Sequence, residues 1–599
     1  MGRKPTSMIS VSGFQRVLVA AFLLTLGNAA PNLHAQTYLI KSGDFWTYWD
    51  FGFQPDPDWA SPAVNFYRGN TLLATDTDPP YEAVLSSVQP SNYVLRAVAL
   101  FNDSTTLTSA PVHLTAAAAR LTRGPYLQLG TPTSVIVKWR TDFASDSVVR
   151  YGLSSDSLNQ SAAAPGAAIE HEVQLSGLVP DTQYYYSIGS STTALAGGPD
   201  YYFVTAPLGA KPTRIWVIGD SGGAASSSIP NDHGSYLVRD AYYDYAYGRY
   251  TDLWLMMGDN AYDRGTDDEY QRGMFDVYPA LLRNTVVWST IGNHEVNTEV
   301  YFNIFSLPKN GEAGGVPSGV ENYYSFNYGD IHFVCLAGYY SGSRLSNGVM
   351  CAWLKADLAA NTNKWLIAFW HQPPYTKGSH DSDWETDLIE MRENAVPILE
   401  SYGVDLVLCG HSHVYERSYL LHGHYGDTSA FEWSMAQDPG SGRIDDTGPY
   451  VKQTSGPQAD LGTVYVVAGS GAWIANCCNG LNHPAMYRSL AEIGSLVLDI
   501  DGDTLQGTFV RGDGVVDDYF TLVKNSTVLW IVSIGLQGGS TRLAWTSVPG
   551  RRYQVEFTGN LGIGWTPVDD PVEATGPLTA ATYSTANPAS GFYRVVEQP

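Results

Sequence analysis

Basic residues are scarce in this chain of 599. It has 34 lysines and arginines against 59 aspartates and glutamates, a formal net charge of −25. That deficit excludes a basic nucleic-acid-binding face as the main function. It also repels phosphorylated ligands at long range, so any anion site must carry its own local positive charge. Cysteine is scarce too: Cys335, Cys351, Cys409, Cys477 and Cys478. No Cys-x-x-Cys pair occurs, so nothing points to a thiolate zinc site. An odd count leaves at least one thiol free or paired between chains. Cys335 with Cys351 is a candidate bridge, and Cys477-Cys478 reads equally as a vicinal disulfide or as two packed thiols. Long apolar runs are missing as well. Val17 to Leu26 is a ten-residue apolar stretch, too short to span a bilayer comfortably. Arg3, Lys4 and Arg16 flank it, and Leu33-His34-Ala35 follows. This is the pattern of a secretory signal cleaved near Ala35. The expectation is an exported protein, extracellular or periplasmic, with no membrane span.

What is present supports several folded units. Apolar residues make up 44% and charged residues 16%, a core-forming balance, and the length suggests three to five domains. Tyrosine (39), glycine (59) and proline (33) are plentiful, which favours short strands and many turns. After the signal (1–35), residues 36–118 read as an immunoglobulin-like β-sandwich, with the alternating run 92–100 as a strand. Residues 119–208 read as a second, fibronectin type III-like sandwich. There 133–140 alternates apolar and polar, and G-L-V-P-D-T-Q-Y (177–184) has the form of a tyrosine corner with Tyr184 as its tyrosine. Residues 209–524 alternate strands and helices, with 427–460 as a long inserted loop. Residues 525–599 read as a small all-β unit.

The α/β region carries the chemistry. Apolar strands at 215–218, 253–257, 286–291, 365–370 and 404–408 each run into a polar, Gly-containing loop. Such alternation sets functional loops at the carboxyl ends of strands. After the first comes Asp220, and after the second G-D-N-A-Y with Asp259 and Tyr262. The third leads to G-N-H-E with Asn293 and His294, the fourth to His371, and the fifth to G-H-S-H with His411 and His413. Seven side chains (Asp220, Asp259, Tyr262, Asn293, His371, His411, His413) are too many for one ion of ordinary coordination. They suit two ions sharing a bridging carboxylate. Oxygen ligands favour a hard cation, and imidazoles suit iron, zinc or manganese. Two such ions about 3.5–4 Å apart clamp both oxygens of a phosphoryl transfer and lower the pKa of bound water to about 7. They would also supply the positive charge that the surface lacks.

The ordered blocks GD, GDNAY, GNHE, H and GHSH resemble the metallophosphoesterase superfamily. GDNAY and the preceding fibronectin-like unit resemble the purple acid phosphatases within it. The resemblance covers roughly 120–524. It implies an α/β sandwich of two mixed sheets flanked by helices, and a ferric ion beside a divalent one (iron, zinc or manganese). Asp220, Tyr262 and His413 would hold the ferric ion, Asn293, His371 and His411 the divalent ion, and Asp259 would bridge them. His294 would contact substrate phosphate, and His380 would serve the leaving group. Plant members often carry a second histidine where this chain has Asp381, which leaves substrate preference open. The implied activity is acid hydrolysis of phosphate monoesters by a metal-bound hydroxide. A phosphodiesterase or nucleotidase on the same centre is the enzymatic rival. A mainly surface-binding protein, with glycan or cell-surface contact through the flanking β units, is the other.

G-D-S-G-G (219–223) also matches the surroundings of a serine-protease nucleophile. That chemistry needs a histidine and an aspartate placed to activate Ser221, and here the histidines are grouped as ligands. Three other histidines read as structural or loop residues: His332 within a strand, and His422 and His424 in H-G-H.

Overall fold

The computed structural model describes residues 63–598 apart from 78–82, 84–90, 101–103, 105, 117–118, 227–233, 297, 455–458, 475–477, 525–528, 530, 538–539, 549, 562–563, 577 and 585–590. The proposed signal and Cys477 lie outside the described residues. Among the described residues no helix is long and apolar enough to cross a membrane.

Two seven-stranded mixed sheets form the centre. Along the first the order is Val287–Ser289, Leu253–Met256, Thr213–Ile218, Gly494–Asp501, Thr504–Arg511, Val516–Lys524, Tyr450–Lys452; its first three strands are parallel. Along the second it is Tyr324–Tyr328, Ile331–Cys335, Trp365–Phe369, Leu406–Cys409, Val464–Ala468, Tyr415–Ser418, Met486–Leu490, with four parallel strands in its middle. Strand alternation decides which side chains meet. Phe333, Cys335, Ile367, Phe369, Leu406 and Leu408 face the core between the sheets. Val334, Leu366, Ala368, Val407 and Cys409 face outward, against Trp353, Leu354 and Leu358 of the helix Val349–Ala360. On the first sheet, Tyr242 of the helix Gly234–Ala246 stacks on Trp216 at 4.4 Å. Each fully buried Leu or Phe of these layers contributes about 1.5–3 kcal/mol.

The alternation overturns the candidate Cys335–Cys351 bridge. Both thiols are free and buried. Cys335 faces the inter-sheet core, while Cys351 packs from the helix onto the opposite face. Spacing in sequence carries no information about which face a thiol takes. The inserted segment 427–460 is likewise not all loop. Ala436–Asp438 pairs with Leu420–Leu421, and Tyr450–Lys452 closes one edge of the first sheet.

Residues 121–204 form five antiparallel strands around Trp139, Val149, Tyr184 and Tyr186. The Tyr184 hydroxyl accepts the Val179 N–H at 3.1 Å, the tyrosine-corner contact. This unit shares its core with the α/β region and is stitched to it. Tyr126 donates to the Ile304 carbonyl (3.0 Å), Tyr186 to that of Arg283 (2.7 Å), and Leu127 bridges to Val286. Between 63 and 116 a single five-stranded antiparallel sheet is described, with Val64, Phe66, Ala97 and Ala99 at its centre. At the far end, a three-stranded and a four-stranded sheet enclose Leu543, Trp545, Tyr553 and Tyr583.

Candidate metal centre

The parallel strands of both sheets point their carboxyl ends at one place, and the backbone there bends sharply. Asp220, Asp259 and His411 have φ of 56°, 50° and 67°, in the left-handed region. A non-glycine residue held there costs on the order of 1–3 kcal/mol, and such strain collects at functional sites. Glycines make room for the bends. A Cβ on Gly292 would lie 2.2 Å from Asp259 Oδ1, and one on Gly410 would lie 2.5 Å from Asp220 Oδ2.

These bends bring all seven predicted side chains together in two groups. In the first, Tyr262 Oη lies 3.0 Å from both Asp220 Oδ1 and Asp259 Oδ2, and 3.4 Å from His413 Nε2. His413 Nε2 is 3.3 Å from Asp220 Oδ1. In the second, Asn293 Oδ1 lies 3.0 Å from His371 Nε2 and 2.8 Å from His411 Nδ1; the two imidazole nitrogens are 3.3 Å apart. Asp259 Oδ2 belongs to both groups, being also 3.3 Å from His371 Nε2. Ligands about 2.1 Å from an ion sit about 3 Å apart when at right angles, so both groups have the spacing of a coordination shell.

The remaining atoms of these side chains are held from behind, as ligating side chains usually are. His371 Nδ1 faces the Met257 carbonyl at 2.7 Å, which turns its Nε2 lone pair to the cluster. Asp220 Oδ2 accepts the His411 N–H (2.7 Å), and Asp259 Oδ1 accepts that of His294 (2.8 Å). The His413 N–H donates to Ser379 Oγ (2.8 Å).

The electrostatics ask for a cation. Burial lowers the pKa of His371, but the charges of Asp259 and Asp220 outweigh it and push the imidazole up to about 10. Burial, then Asp220 and Asp259, push the Tyr262 hydroxyl well above its ordinary value. Burial also opposes the charge on Asp259, yet His371 and His294 hold that carboxyl far below the usual range. These are groups competing for positive charge, and a metal replaces the proton at such ligands. Donor chemistry, spacing and charge therefore fit a metal pair.

The other predicted residues stand on the rim. His294 and His380 are half-buried. His294 Nδ1 donates to the Asp263 carbonyl (2.8 Å), and its ring lies 4.4 Å from that of Tyr262. His380 stacks on His411 at 3.7 Å, with its Nδ1 2.7 Å from Glu385 Oε2. Asp381 pairs with Lys377. Ser221 is buried, and its Oγ bonds to no imidazole among the described residues, which removes the protease chemistry. His332 is a buried strut between Asn327 and Asp357 (2.6 and 2.8 Å). His424 is buried against Tyr375, and His422 lies beside Glu400, both away from the cluster.

Three residues of the site escape the sequence reading. Glu295 is fully buried and ties two strand-end loops together, accepting the N–H groups of Asp259 (3.0 Å), Asn260 (2.6 Å) and Gly292 (2.7 Å). Burial and then the nearby Asp259 charge raise its pKa to about 7. Its signal was the last letter of GNHE. Glu385 braces His380 and lies 3.7 Å from His411 Nε2. Burial disfavours its charge, but hydrogen bonds with His380 and His411 hold its carboxyl well below the usual range. Trp473 packs edge-on to Tyr262 (4.5 Å) and His413 (4.4 Å). It follows Val464–Ala468, a sixth strand end of the same kind, and V-Y-V-V-A-G-S-G was the signal.

Residues 213–415 match the model of the calcineurin-like phosphoesterases, and 122–205 match that of the purple acid phosphatase N-terminal domain. The chain thus joins a match to the purple acid phosphatase N-terminal domain to a match to the calcineurin-like phosphoesterases. Among its relatives, purple acid phosphatase 15 of Arabidopsis thaliana is 30% identical over 324 residues, 46% of this chain and 57% of that one. Purple acid phosphatase 23 of the same plant is 29% identical over 313 residues, 46% of this chain and 66% of its own. The chain thus spans less than two thirds of either. A solved purple acid phosphatase from yellow lupin seeds superposes over 73% of this chain and 80% of its own, at 17% identity and a TM-score of 0.49. The match over 122–205 falls on the five-stranded unit, and that over 213–415 on the part of the two mixed sheets that runs up to Tyr415.

Proposed function

We propose that the chain is a secreted acid phosphatase with a dinuclear metal centre, hydrolysing phosphate monoesters. The observation that carries this reading is Asp259 Oδ2, one buried oxygen lying within 3.0 Å of Tyr262 Oη and 3.3 Å of His371 Nε2. Asp220, Tyr262 and His413 would hold a ferric ion and Asn293, His371 and His411 a divalent one (iron, zinc or manganese), with Asp259 between. When bound, such a pair supplies water activation at mild pH and charge neutralisation for phosphoryl transfer.

The chain's own residues do the rest. His294, its Nδ1–H donating to the Asp263 carbonyl, presents Nε2 to a phosphoryl oxygen and donates to it when that nitrogen also carries a proton. Glu385 fixes the His380 ring through Nδ1 and leaves Nε2 facing the site. The proton on His380 Nε2 then goes to the leaving alkoxide, which is general acid catalysis. Trp473 covers the side of Tyr262 and His413 and keeps water from that flank. The same reading gives 209–524 to catalysis and 119–208 to a fibronectin type III-like support. The immunoglobulin-like unit 36–118 and the unit 525–599 would serve as spacers or as contacts to a cell surface or glycan.

The test is phosphate release and metal content in wild type and Asp259→Ala. Substrates would be an aryl monoester, nucleotides, phytate and a phosphodiester, at acidic and neutral pH. Metal and monoester hydrolysis should fall together in the variant, hydrolysis by at least about 10³-fold. Full activity in Asp259→Ala sinks the scheme. Release from the diester alone replaces it with a phosphodiesterase, and no release by metal-loaded wild type moves the chain to a binding role.

A further inference from the structure

The second sheet ends at the edge strand Met486–Leu490. Beside it the surface opens into a groove of about 670 Å³, lined among others by Tyr419, Phe431, Trp433, Asn482, Tyr487 and Arg488. Its aromatic rings are set at steep angles to one another. Trp433 meets Tyr419 at 5.6 Å and 69° and Phe431 at 5.6 Å and 76°; Tyr419 meets Tyr487 at 5.6 Å and 82°. These contacts hold the indole upright, yet 64% of Trp433 stays exposed. The loop that carries it is fixed in advance. Asp427 caps its first turn through the Ser429 N–H (2.9 Å), and Thr428 bonds to Asp383 through its N–H (3.0 Å) and hydroxyl (2.6 Å). A preformed aromatic platform loses little freedom on binding.

The charge of the groove narrows the ligand. None of the residues lining it is acidic, so it does not suit a cation. Its one arginine, Arg488, is already paired with Asp517 at 2.8 Å, and burial holds His483 neutral at neutral pH. With no uncommitted cation and a chain charge of −25, phosphorylated, sulfated and nucleotide ligands are repelled. What remains is a neutral ligand with both an apolar face for the indole and hydroxyls for the amide of Asn482 and the phenol of Tyr487.

We propose that this groove binds the pyranose rings of a neutral oligosaccharide, with Trp433 as the stacking platform. The site is separate from the metal centre and does not depend on the phosphatase reading.

The experiment is calorimetric titration of the full chain with cello-, xylo-, chito- and malto-oligosaccharides and with adenosine, for wild type, Trp433→Ala and Tyr487→Ala. At least one oligosaccharide should bind saturably, and Trp433→Ala should weaken it at least tenfold. Because Trp433 is largely exposed, the variant should keep the wild-type thermal midpoint and the wild-type rate on a small aryl phosphate. The assignment is overturned by no sugar binding, by adenosine bound in preference to every sugar, or by sugar binding that survives Trp433→Ala. The last result would place the sugar elsewhere on the chain.

Discussion

The strand Leu406–Cys409 has a buried carboxylate associated with each of its ends, and the two are treated in opposite ways. At its amino end Asp405 is met by two ammonium groups, Lys452 Nζ at 2.8 Å and Lys524 Nζ at 2.6 Å, and by the Leu366 N–H at 2.8 Å. Lys452 also donates to the carbonyls of Gly403 (2.7 Å) and Val404 (3.0 Å). That end is electrically closed by the chain itself. At its carboxyl end the backbone turns at His411 to meet Asp220, where oxygens and imidazole nitrogens face one another with no lysine or arginine among them. One end is a staple joining the two sheets, and the other is a socket. A buried charge with its own counter-charge is structure, whereas one that must borrow its counter-charge from outside marks where the molecule meets its cofactor.

Three measurements can break or sharpen this contrast. The largest effect is expected from Asp220→Asn. Phosphate release should drop by at least about 10³-fold, while the metal-free protein keeps its resistance to denaturant, because relief of the repulsion between Asp220 and Asp259 offsets the lost attraction to His371. Loss of stability in the metal-free variant would show that the socket is a staple after all. Next is Lys452→Met. Leaving Asp405 short of one partner should cost about 3 kcal/mol in chemical denaturation, with metal content and activity per folded molecule unchanged. A variant that loses metal would show that the two ends are not independent.

The smallest effect is a slope. In the metal-free protein Glu295 is raised to about 7 and His371 to about 10, so both bind protons more tightly folded than unfolded. Their contribution is fully present below about pH 4.5 and 6.5 respectively, and is lost as pH rises through 7 and 10. Bound metal displaces the His371 proton and screens Glu295 from Asp259. The stabilisation by metal, taken as the difference between thermal midpoints with and without chelator, should therefore grow from pH 4.5 upward. A difference independent of pH would mean that these protons are not what metal replaces.

The strand ends were legible in the sequence because each joins an apolar run to a glycine and a polar residue, a pattern that survives without knowledge of the neighbours. It led to Asp220, Asp259, Tyr262, Asn293, His371, His411 and His413, which the fold brings within contact of one another. Glu385 was not legible, because its role arises only when its loop folds back on His380 and His411. Trp473 offers no ligand atom, so its place beside Tyr262 and His413 emerges only once the loop after Val464–Ala468 is folded. The Cys335–Cys351 pairing failed for a similar reason: both residues are buried, but a sheet stands between them. Long-range staples such as Asp405 with Lys452 and Lys524 have no local signature at all.

The loop after Tyr262 is clamped by the short helix Asp267–Tyr270. Glu269 accepts the N–H groups of Asp263 (2.7 Å) and Arg264 (3.0 Å) within a capping box on Thr266. From the other side, Arg123 (3.0 Å) and Arg140 (2.6 Å) of the preceding β unit grip Asp267. Arg123 also lies 4.2 Å above Phe275. The seam near residue 208 is thus a boundary of topology but not of mechanics. A recombination or truncation there would keep the Glu269 clamp but strip the arginine grip from the far side of Asp267, so the tyrosine loop would stand on one support in place of two.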